Sequence, residues 1–459
     1  MREQNMNIKD IFSGIKGEIL FGDEIADRLC TDFIGSHVGH ADVYIKAKDR
    51  DDIVSALKTA SANAISVVIR GAGTNLVGST IPDGGLILDV SGLNRILELD
   101  RERMSITVEP GVILKDLIAY VEERGFFYPP DPAEKDASIG GNVATNAGGM
   151  RAVKYGVTRD YVLQLELVTV NGEILTLGAN TRKNAAGLNL QKIVVGSEGT
   201  LGVITKITLK LLPLPESTLS AILAYDSLSE AISSVNAILN ANLDPTAIEF
   251  LEKRVIAFGE RYLGKEFPVP QAKAYLIVTF DGQKQSVLER IEKCSNVVKQ
   301  HGAIEVVSLA EPELAALVWE IRGALAKSVQ ASGVWEPVDT VVPLNRISDF
   351  VSEVNRISQQ LHVRILGFGH AGDGNVHLCI IKDDIPDADW PEVLDKAMSL
   401  CYQKAYELGG LASAEHGIGK TKRKYFLEHT DPAVRNIMIG VKKAFDEQNL
   451  LNPQNGYAA

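Results

Sequence analysis

The dipeptide Asp373-Gly374 lies between two histidines and predicts a tight β-hairpin. Asp-Gly is among the strongest short hairpin signals, because the favoured two-residue turn requires positive φ at both central positions. With these two residues as the turn, His370 and His377 are directly opposite each other, with Cβ atoms roughly 5 Å apart. The sequence therefore predicts two imidazoles on one face of a hairpin, where a single metal ion reaches both.

A carboxylate and another histidine follow downstream, at Glu415 and His416. Two histidines and one carboxylate leave part of an ion's coordination sphere open, as catalytic metal sites do. A lone histidine is more often a packed residue than a ligand, but the combination favours metal binding. The other histidines have no such context and are interpreted as structural: His37, His40, His301, His362 and His429.

The balance of charge and the spacing of the cysteines exclude several classes of function. Asp and Glu outnumber Lys and Arg by 59 to 47, which gives a net charge of −12. Without a basic run, neither nucleic acid nor an anionic membrane surface is an expected partner. The cysteines lie far apart in the sequence, which argues against iron–sulfur clusters and thiolate zinc sites: Cys30, Cys294, Cys379 and Cys401.

Neither a targeting segment nor a membrane-spanning segment is expected from the sequence. Residues 1–5 carry acidic and amide side chains and no apolar signal core. No run of about 18 apolar residues occurs, so no membrane span is expected. These absences favour a cytoplasmic protein. The sequence leaves the oligomeric state open, including a homo-oligomer.

Three glycine-rich segments mark the first half of the chain, at 71–78, 139–149 and 196–202, and each is next to a predicted strand. Glycine lets backbone N–H groups approach a phosphate closely. The segments lack the spacing of a nucleoside-triphosphatase P-loop and of the dinucleotide fingerprint, so neither class is supported. The alternative is a set of tight turns in an α+β domain.

A proline-rich stretch at 212–215 predicts a domain boundary. Beyond it the order strand, helix, strand, strand, helix, strand is ferredoxin-like. These elements are predicted at 221–225, 227–239, 247–251, 274–280, 283–301 and 304–309. Ser227 and Glu230 form a capping-box pair at the first of the two helices. Further helices are predicted near 313–329, 347–361 and 391–408.

Several motifs, in the same order along the chain, resemble those of the vanillyl-alcohol-oxidase (PCMH-type) FAD enzymes. The first resembles the pyrophosphate loop of that family and reads Arg70-Gly71-Ala72-Gly73-Thr74-Asn75-x-x-Gly78. The second flavin-binding segment is matched by Pro129-Pro130-Asp131-Pro132, Ser138-Ile139-Gly140-Gly141-Asn142 and Asn146-Ala147-Gly148-Gly149. The third is matched by Tyr155-Gly156 and by Gly196-Ser197-Glu198-Gly199-Thr200-Leu201-Gly202-Val203-Ile204-Thr205. The resemblance is greatest to D-lactate dehydrogenases and glycolate oxidase FAD subunits.

This resemblance implies an α+β architecture with a two-lobed FAD-binding domain at 1–215 and a ferredoxin-like substrate (cap) domain at 216–420. A C-terminal segment at 421–459 returns to the FAD domain. Many relatives attach FAD covalently through a histidine of the first loop, where this chain has Thr74, so non-covalent FAD is expected. The residues assigned to FAD are Arg70, Gly71, Ala72, Gly73, Thr74, Asn75, Gly78, Pro130, Ser138, Gly141, Asn142, Gly148, Tyr155, Gly156, Glu198, Gly199, Val203 and Asn452.

The resemblance also implies how the site works. His370, His377 and Glu415 become ligands of a divalent metal, with zinc, iron and manganese left open, and His416 becomes the catalytic base. Arg322, in a Trp-x-x-Arg helix motif, grips the substrate carboxylate, although a surface arginine is the alternative from the residue alone. The expected reaction removes the hydroxyl proton of a 2-hydroxy acid and passes a hydride to flavin N5. A carbanion route is the alternative.

Three positions depart from relatives that act on larger diacids. Those relatives have a threonine, a lysine and an asparagine where this chain has Ala326, Pro337 and Cys379. The departures argue against a second substrate carboxylate and favour a small substrate such as lactate or glycolate.

The electron acceptor is not encoded by an obvious motif. Without a membrane anchor, a soluble protein such as electron-transfer flavoprotein is favoured, and an iron–sulfur subunit is the second choice. Dioxygen and a quinone remain open. Two other hypotheses are an alcohol or sugar oxidase on the same fold and a non-enzymatic flavin- or metal-binding subunit.

Overall fold

A computed structural model describes residues 8–457. Residues 1–5, which contributed to the expectation of no signal sequence, lie outside that range. Contacts within the chain divide it into two compact units. The first contains residues 1–147, 157–214 and 415–459, and the second contains 148–156 and 215–414. Every helix in residues 8–457 is too short or too polar to span a lipid bilayer.

The strands of residues 8–457 are short in the first unit and longer in the second. They are β1 (Glu18–Phe21), β2 (Val43–Lys46), β3 (Val67–Arg70), β4 (Leu86–Asp89), β5 (Ile96–Asp100), β6 (Ser105–Val108), β7 (Phe126–Phe127), β8 (Val162–Val168), β9 (Ile174–Gly178), β10 (Val203–Lys210), β11 (Leu212–Pro213), β12 (Ser217–Tyr225), β13 (Ala247–Glu252), β14 (Ala274–Gly282), β15 (Glu305–Ser308), β16 (Trp335–Val341), β17 (Arg364–His370) and β18 (Asn375–Ile381).

The helices of the same range alternate with these strands. They are α1 (Ile8–Ile11), α2 (Arg50–Ala62), α3 (Leu114–Glu122), α4 (Ile139–Thr145), α5 (Ala152–Tyr155), α6 (Thr158–Tyr161), α7 (Leu190–Val194), α8 (Leu228–Asn240), α9 (Lys253–Leu263), α10 (Lys284–Lys299), α11 (Pro312–Gly323), α12 (Leu325–Ser332), α13 (Ile347–Leu361), α14 (Trp390–Glu407), α15 (Arg423–His429) and α16 (Pro432–Phe445).

The first unit contains two principal sheets. One has the order β1-β2-β4-β3, with β4 parallel to both β2 and β3, and the other is an antiparallel sheet of order β5-β6-β10-β8-β9. Helix α2 begins where the side chain of Asp49 accepts a hydrogen bond from the N–H of Asp52, 3.1 Å away. It buries Ile53 and Leu57 in one core with β2, β3 and β4. Each such side chain contributes about 1.5–3 kcal/mol of burial free energy.

The C-terminal segment of the chain completes this unit. Leu451 forms a parallel bridge with Val67 of β3, and the N–H of Val67 donates to the Leu450 carbonyl over 2.8 Å. The segment grouped with the first unit starts at Glu415, so residues 415–420, placed in the cap domain by the sequence, group here instead. Residues 148–156 also group differently, because α5 packs on β13 of the second unit.

The second unit is built on one seven-stranded sheet of order β15-β12-β14-β13-β17-β18-β16. Strands β12 to β15, with α8 and α10, form the predicted ferredoxin-like part. Helix α8 begins at Ser227, whose hydroxyl accepts from the N–H of Glu230 over 3.2 Å and donates to its carboxylate over 2.8 Å. Ser227 therefore caps the helix as predicted, but the Glu230 carboxylate binds the serine hydroxyl and not its backbone N–H, so the predicted reciprocal capping box is only half formed.

Three elements of the second unit differ from the sequence-based expectation. Helix α9 lies between β13 and β14, where two consecutive strands were expected. The single helix expected at 313–329 is two helices, α11 and α12, which meet at Ala324. Strand β16 was not predicted, although it borders the histidine hairpin through its pairing with β18.

We predict that Lys442→Met destabilises the first unit by about 3–5 kcal/mol. The buried ammonium of Lys442 donates to the Thr200 carbonyl at 2.7 Å, to Asp446 at 2.6 Å and to the Leu451 carbonyl at 2.9 Å. A thioether leaves all three acceptors without this donor. Urea unfolding followed by circular dichroism measures the change. Lys443, the next residue, is exposed, and Lys443→Met serves as the control. Its free energy of unfolding is expected to stay within about 0.5 kcal/mol of the wild-type value. Equal losses of stability in the two variants contradict the prediction.

We also predict that native protein reacts slowly with a thiol reagent. All four cysteines are buried, and burial raises the pKa of Cys294, Cys379 and Cys401 to about 12. The reactive thiolate is therefore scarce at neutral pH. Titration with Ellman's reagent is expected to find four thiols only after denaturant is added. A rapid reaction of the native protein contradicts this expectation.

Candidate active site

The histidine hairpin forms, but with a longer turn than the sequence predicted. His370 pairs with Asn375 and Phe368 pairs with His377, so residues 371–374 make a four-residue loop. The prediction that His370 and His377 are directly opposed is therefore wrong. Neighbouring strands explain the difference, because the N–H of Gly372 donates to Ile248 in β13 and the carbonyl of Gly374 accepts from Val342, which follows β16.

The two histidines nevertheless lie together on one face. A shift of register by two residues keeps side chains on the same side of a sheet, and diagonal neighbours remain in contact. The Nε2 atoms of His370 and His377 are 3.3 Å apart, and the rings are perpendicular. Two nitrogens bound to one tetrahedral zinc ion, each at about 2.05 Å, are about 3.3 Å apart. The spacing of the pair therefore fits a shared metal ion.

A buried carboxylate holds the first of these histidines. Oε1 of Glu249, in β13, lies 2.6 Å from Nδ1 of His370. Its other oxygen, Oε2, accepts from Nε of Arg322 at 2.9 Å and from Nη2 at 2.6 Å. Burial on its own raises the pKa of the Glu249 carboxyl, but His370 and Arg322 outweigh burial, and the net pKa lies below its usual range. Glu249 is therefore an anion that links the histidine to the arginine.

A second buried carboxylate, Asp339 of β16, lies behind the other histidine. It faces His377 across the β16–β18 ladder, and its Oδ1 is 3.4 Å from Nδ1 of His377. The same carboxylate accepts from the side-chain amide of Asn375 at 2.7 Å, from the Ser413 hydroxyl at 2.9 Å and from the Ala414 N–H at 3.0 Å. Each imidazole thus has a buried acid near Nδ1, and of the two contacts the one between Glu249 and His370, at 2.6 Å, is the hydrogen bond of the kind that lies behind metal ligands.

The sequence analysis missed both acids, although a signal for each is present. Glu249 lies within the apolar strand Ala247–Glu252, and Asp339 lies within Trp335–Val341. A charged residue inside such a strand is expensive to bury unless it is paired. Each therefore indicated a partner of opposite charge, but not which one.

The predicted third ligand and base, Glu415 and His416, directly follow Ala414 in the chain. Asp339 holds Ser413 and Ala414, so the second unit ends at the carboxylate behind His377. The roles of Glu415 and His416 stay predictions.

Two of the three positions at which the chain departs from relatives acting on diacids, Pro337 and Cys379, lie next to His377 in the sheet. Pro337 pairs with Cys379 across β16 and β18, one step along the same ladder face from Asp339 and His377. Neither side chain carries a cation, and Cys379 is buried with a raised thiol pKa. Ala326 lies in α12, four residues after Arg322.

The first two glycine-rich segments meet within the first unit. Gly71 lies so close to Ser138 that an added Cβ would be 2.5 Å from the Ser138 hydroxyl. That hydroxyl accepts from the N–H of Ala72 at 3.4 Å and from the N–H of Gly141 at 3.3 Å. The first loop and the start of α4 are therefore joined through one serine, and their glycines leave little side-chain bulk around the backbone.

Two side chains shape the first loop from within. The guanidinium of Arg70 donates to the carbonyls of Thr31 at 2.7 Å and Arg28 at 3.2 Å, so it supports the loop. Burial lowers the pKa of Arg70, and Asp89 opposes that shift. Asn75 accepts at Oδ1 from the N–H groups of Val77 and Ser79 and forms the turn before Gly78. These contacts are structural, and flavin contacts from the same residues stay predictions.

Glu198 connects the third glycine segment with the C-terminal segment. Its carboxylate accepts from the N–H groups of Ile418 and Gly419 and from the Ser79 hydroxyl, each at 2.8 Å. Asn452 donates to the Glu198 carbonyl at 2.6 Å and accepts from the N–H of Ile69 at 3.0 Å. Both predicted flavin residues therefore hold the strand, loop and tail of the first unit together.

The remaining predicted flavin residues are divided between the units. The first unit contains Gly73, Thr74, Gly78, Pro130, Asn142, Gly199 and Val203, and the second contains Gly148, Tyr155 and Gly156. The Tyr155 hydroxyl donates to Asp281 of β14 at 2.9 Å. Within its own unit, Tyr155 is thus anchored to the sheet that carries Glu249.

Comparison with known proteins agrees with these observations. Residues 214–455 match the family described as FAD linked oxidases, C-terminal domain, and residues 41–178 match the FAD binding domain family. The chain is 40% identical to the D-lactate dehydrogenase of Anaerostipes hadrus, over 95% of this chain and 94% of that protein. It is 37% identical to the glycolate oxidase subunit GlcD of Bacillus subtilis (strain 168), over 98% and 97%.

A solved structure shows the same fold at low sequence identity. p-Cresol methylhydroxylase with substrate bound superposes with a TM-score of 0.74 at 15% identity, over 94% of this chain and 91% of that one. The predicted PCMH-type α+β fold is thereby confirmed. With an FAD-binding domain in its first half and the C-terminal domain of the FAD-linked oxidases across residues 214–455, the chain belongs to the FAD-linked oxidase family.

Proposed function

We propose that this protein is a FAD- and divalent-metal-dependent dehydrogenase that oxidises a small D-2-hydroxy acid, D-lactate first among them, to the 2-oxo acid. The observation that carries the proposal is the pair of imidazoles with Nε2 atoms 3.3 Å apart and a buried acid beside each Nδ1. A relative named D-lactate dehydrogenase, 40% identical over 95% of the chain, supports the choice of substrate.

His370 and His377 would hold the metal ion, with Glu415 as the third ligand. Three protein ligands leave room for the hydroxyl and one carboxylate oxygen of a 2-hydroxy acid. When bound, the ion supplies a Lewis acid that lowers the pKa of a coordinated hydroxyl. Zinc, iron and manganese all accept nitrogen and carboxylate ligands of this kind.

The other residues bind the substrate and accept its proton. His416 takes the hydroxyl proton as general base. Arg322 binds the substrate carboxylate through the Nη1 edge of its guanidinium, which Glu249 does not use. FAD, held without a covalent bond by the glycine-rich segments, supplies the acceptor for the hydride that leaves the hydroxyl-bearing carbon.

The polarity around the histidines favours a monocarboxylic substrate. Pro337 and Cys379, beside Asp339 and His377 on the sheet, offer no cation to a second carboxylate. A distal carboxylate would meet a carboxylate and a neutral thiol there, which is unfavourable. Lactate and glycolate avoid this conflict.

The proposed electron acceptor is a protein, electron-transfer flavoprotein first and an iron–sulfur subunit second. A glycolate oxidase FAD subunit is the second candidate function. The 37% identity to the protein named glycolate oxidase subunit GlcD, over 98% of the chain, favours it. The two candidates share the same site chemistry and differ in substrate and acceptor.

We predict that D-lactate bleaches the visible flavin band under anaerobic conditions. Oxidised flavin absorbs blue light and reduced flavin does not. Without an electron acceptor the flavin stays reduced, so the loss of absorption is observable. A stopped-flow panel of D-lactate, L-lactate, glycolate and D-malate checks the substrate, with D-malate expected to react least because of its second carboxylate. If no hydroxy acid bleaches the band, the proposed function is wrong.

Removal of the metal is expected to slow this bleaching without releasing the flavin. Dialysis against EDTA takes away the Lewis acid, while the glycine-rich segments retain FAD. Single-turnover rates before and after EDTA, and after addition of Zn²⁺, Mn²⁺ or Fe²⁺, measure the effect. An unchanged rate in protein shown to be metal-free rejects the metal and leaves an alcohol or sugar oxidase on this fold as the better explanation.

His416→Ala is expected to lower the rate of flavin reduction by about 10²- to 10⁴-fold, the usual contribution of a general base. The variant should remain yellow and should still bind metal, because His416 is assigned neither role. His301→Ala, which changes an exposed histidine after α10, is the control and should react as wild type does. Equal rates in His416→Ala and wild type contradict the assignment of the base.

A further inference from the structure

We propose that Glu249 is a positioning residue whose single carboxylate orients two side chains, the metal-binding His370 and the substrate-binding Arg322. The inference rests on the function proposed above and adds a residue to it. Glu249 Oε1 contacts Nδ1 of His370, and Oε2 accepts two hydrogen bonds from Arg322. All three side chains are buried, so water does not compete for these contacts.

The contact to His370 fixes which ring nitrogen carries the proton. The Glu249 carboxylate accepts two hydrogen bonds from Arg322, and a carboxylate paired with a guanidinium accepts rather than donates, so we assign the proton of His370 to Nδ1. Nε2 then carries the lone pair, and this is the atom 3.3 Å from Nε2 of His377. A neutral imidazole binds a metal through its unprotonated nitrogen. Glu249 thus prepares His370 for the ion before the ion arrives.

The contact to Arg322 fixes the plane of the guanidinium. Nε and Nη2 both bind one carboxylate oxygen, which prevents rotation about the end of the side chain. The guanidinium also lies 5.2 Å from the centre of the Phe368 ring, and that ring is 5.5 Å from the ring of His377. Arg322 is therefore held next to Phe368 and linked through Glu249 to His370, and neither of its hydrogen bonds to Glu249 uses Nη1.

An amide at position 249 cannot satisfy both partners. Glutamine has one acceptor and one donor group, whereas Arg322 and His370 each present a donor. With its NH₂ towards His370, it forces the proton onto Nε2, the ligating atom. With its NH₂ towards Arg322, it sets donor against donor. Loss of such a partner behind a metal ligand typically lowers metal affinity by about 10- to 100-fold.

The simpler alternative is that Glu249 is a buried ion pair that only stabilises the sheet. Glu252 provides a matched comparison, because it is a glutamate on the same strand and pairs with Arg254 at 2.9 Å. A purely stabilising role predicts that Glu249→Gln lowers stability and leaves the zinc affinity of the folded protein unchanged. The two roles therefore separate in a binding measurement.

Equilibrium dialysis of the full chain with FAD against Zn²⁺ tests the proposal, with bound zinc measured by mass spectrometry and folding checked by circular dichroism. We expect Glu249→Gln to weaken zinc binding about 10- to 100-fold, and Glu252→Gln to match wild type. Wild-type zinc affinity in folded Glu249→Gln overturns the proposal. If that variant does not fold, Glu249→Asp replaces it, since the shorter carboxylate does not reach both partners, and unchanged zinc affinity there overturns the proposal equally.

A separate binding measurement tests whether Glu249 orients Arg322. Pyruvate binding to zinc-saturated protein, followed through the absorption of the bound flavin, should weaken several-fold in Glu249→Gln and not in Glu252→Gln. Unchanged pyruvate binding overturns the assignment for Arg322.

Failure of the metal site itself gives a different result. If wild type and His370→Ala bind the same amount of zinc, the proposed ligand is wrong, and this inference falls with it. If wild type binds zinc more tightly than His370→Ala while Glu249→Gln matches wild type, only the role of Glu249 is rejected.

Discussion

A carboxylate removed from water needs compensating donors, and the second unit is organised around two such groups. Glu249 and Asp339 are both fully buried, and every contact described for them is to a donor or to an imidazole. Leaving such a charge without partners is strongly destabilising. The same requirement for paired charges therefore orients His370 and Arg322 around Glu249, and it places Asp339 next to His377.

The first unit uses the same principle for a different purpose. Glu198 accepts two backbone N–H groups of the C-terminal segment, and Lys442 donates to two backbone carbonyls and to Asp446. Each charged side chain forms hydrogen bonds with backbone groups that lie outside the helices and strands. Segments far apart in sequence are thereby joined by a few buried charges as well as by a continuous apolar core, and the glycine-rich loops gain a rigid support.

Much of this arrangement could be predicted from the sequence, and the failures have physical causes. Apolar patterns located the ferredoxin-like order of the second unit and its long helices α8, α10, α13 and α14, and Ser227 marked the start of α8, because these features depend on local residues. The hairpin turn was wrong because its length depends on hydrogen bonds from β13 and β16, which no local pattern contains. The prediction that His370 and His377 lie close together holds, because a shift of the strand register by two residues leaves both side chains on the same face of the sheet. Glu249 was missed because its partners lie 73 and 121 residues away.

The pairing of Leu451 with Val67 has a consequence for how the protein is made. Strand β3, at one edge of the β1-β2-β4-β3 sheet, pairs with residues that are synthesised some 380 positions later. The second unit, by contrast, is contiguous from 215 to 414 apart from its short piece at 148–156. During synthesis the sheet that carries the histidines is therefore able to form while β3 of the first unit still lacks the segment that pairs with it.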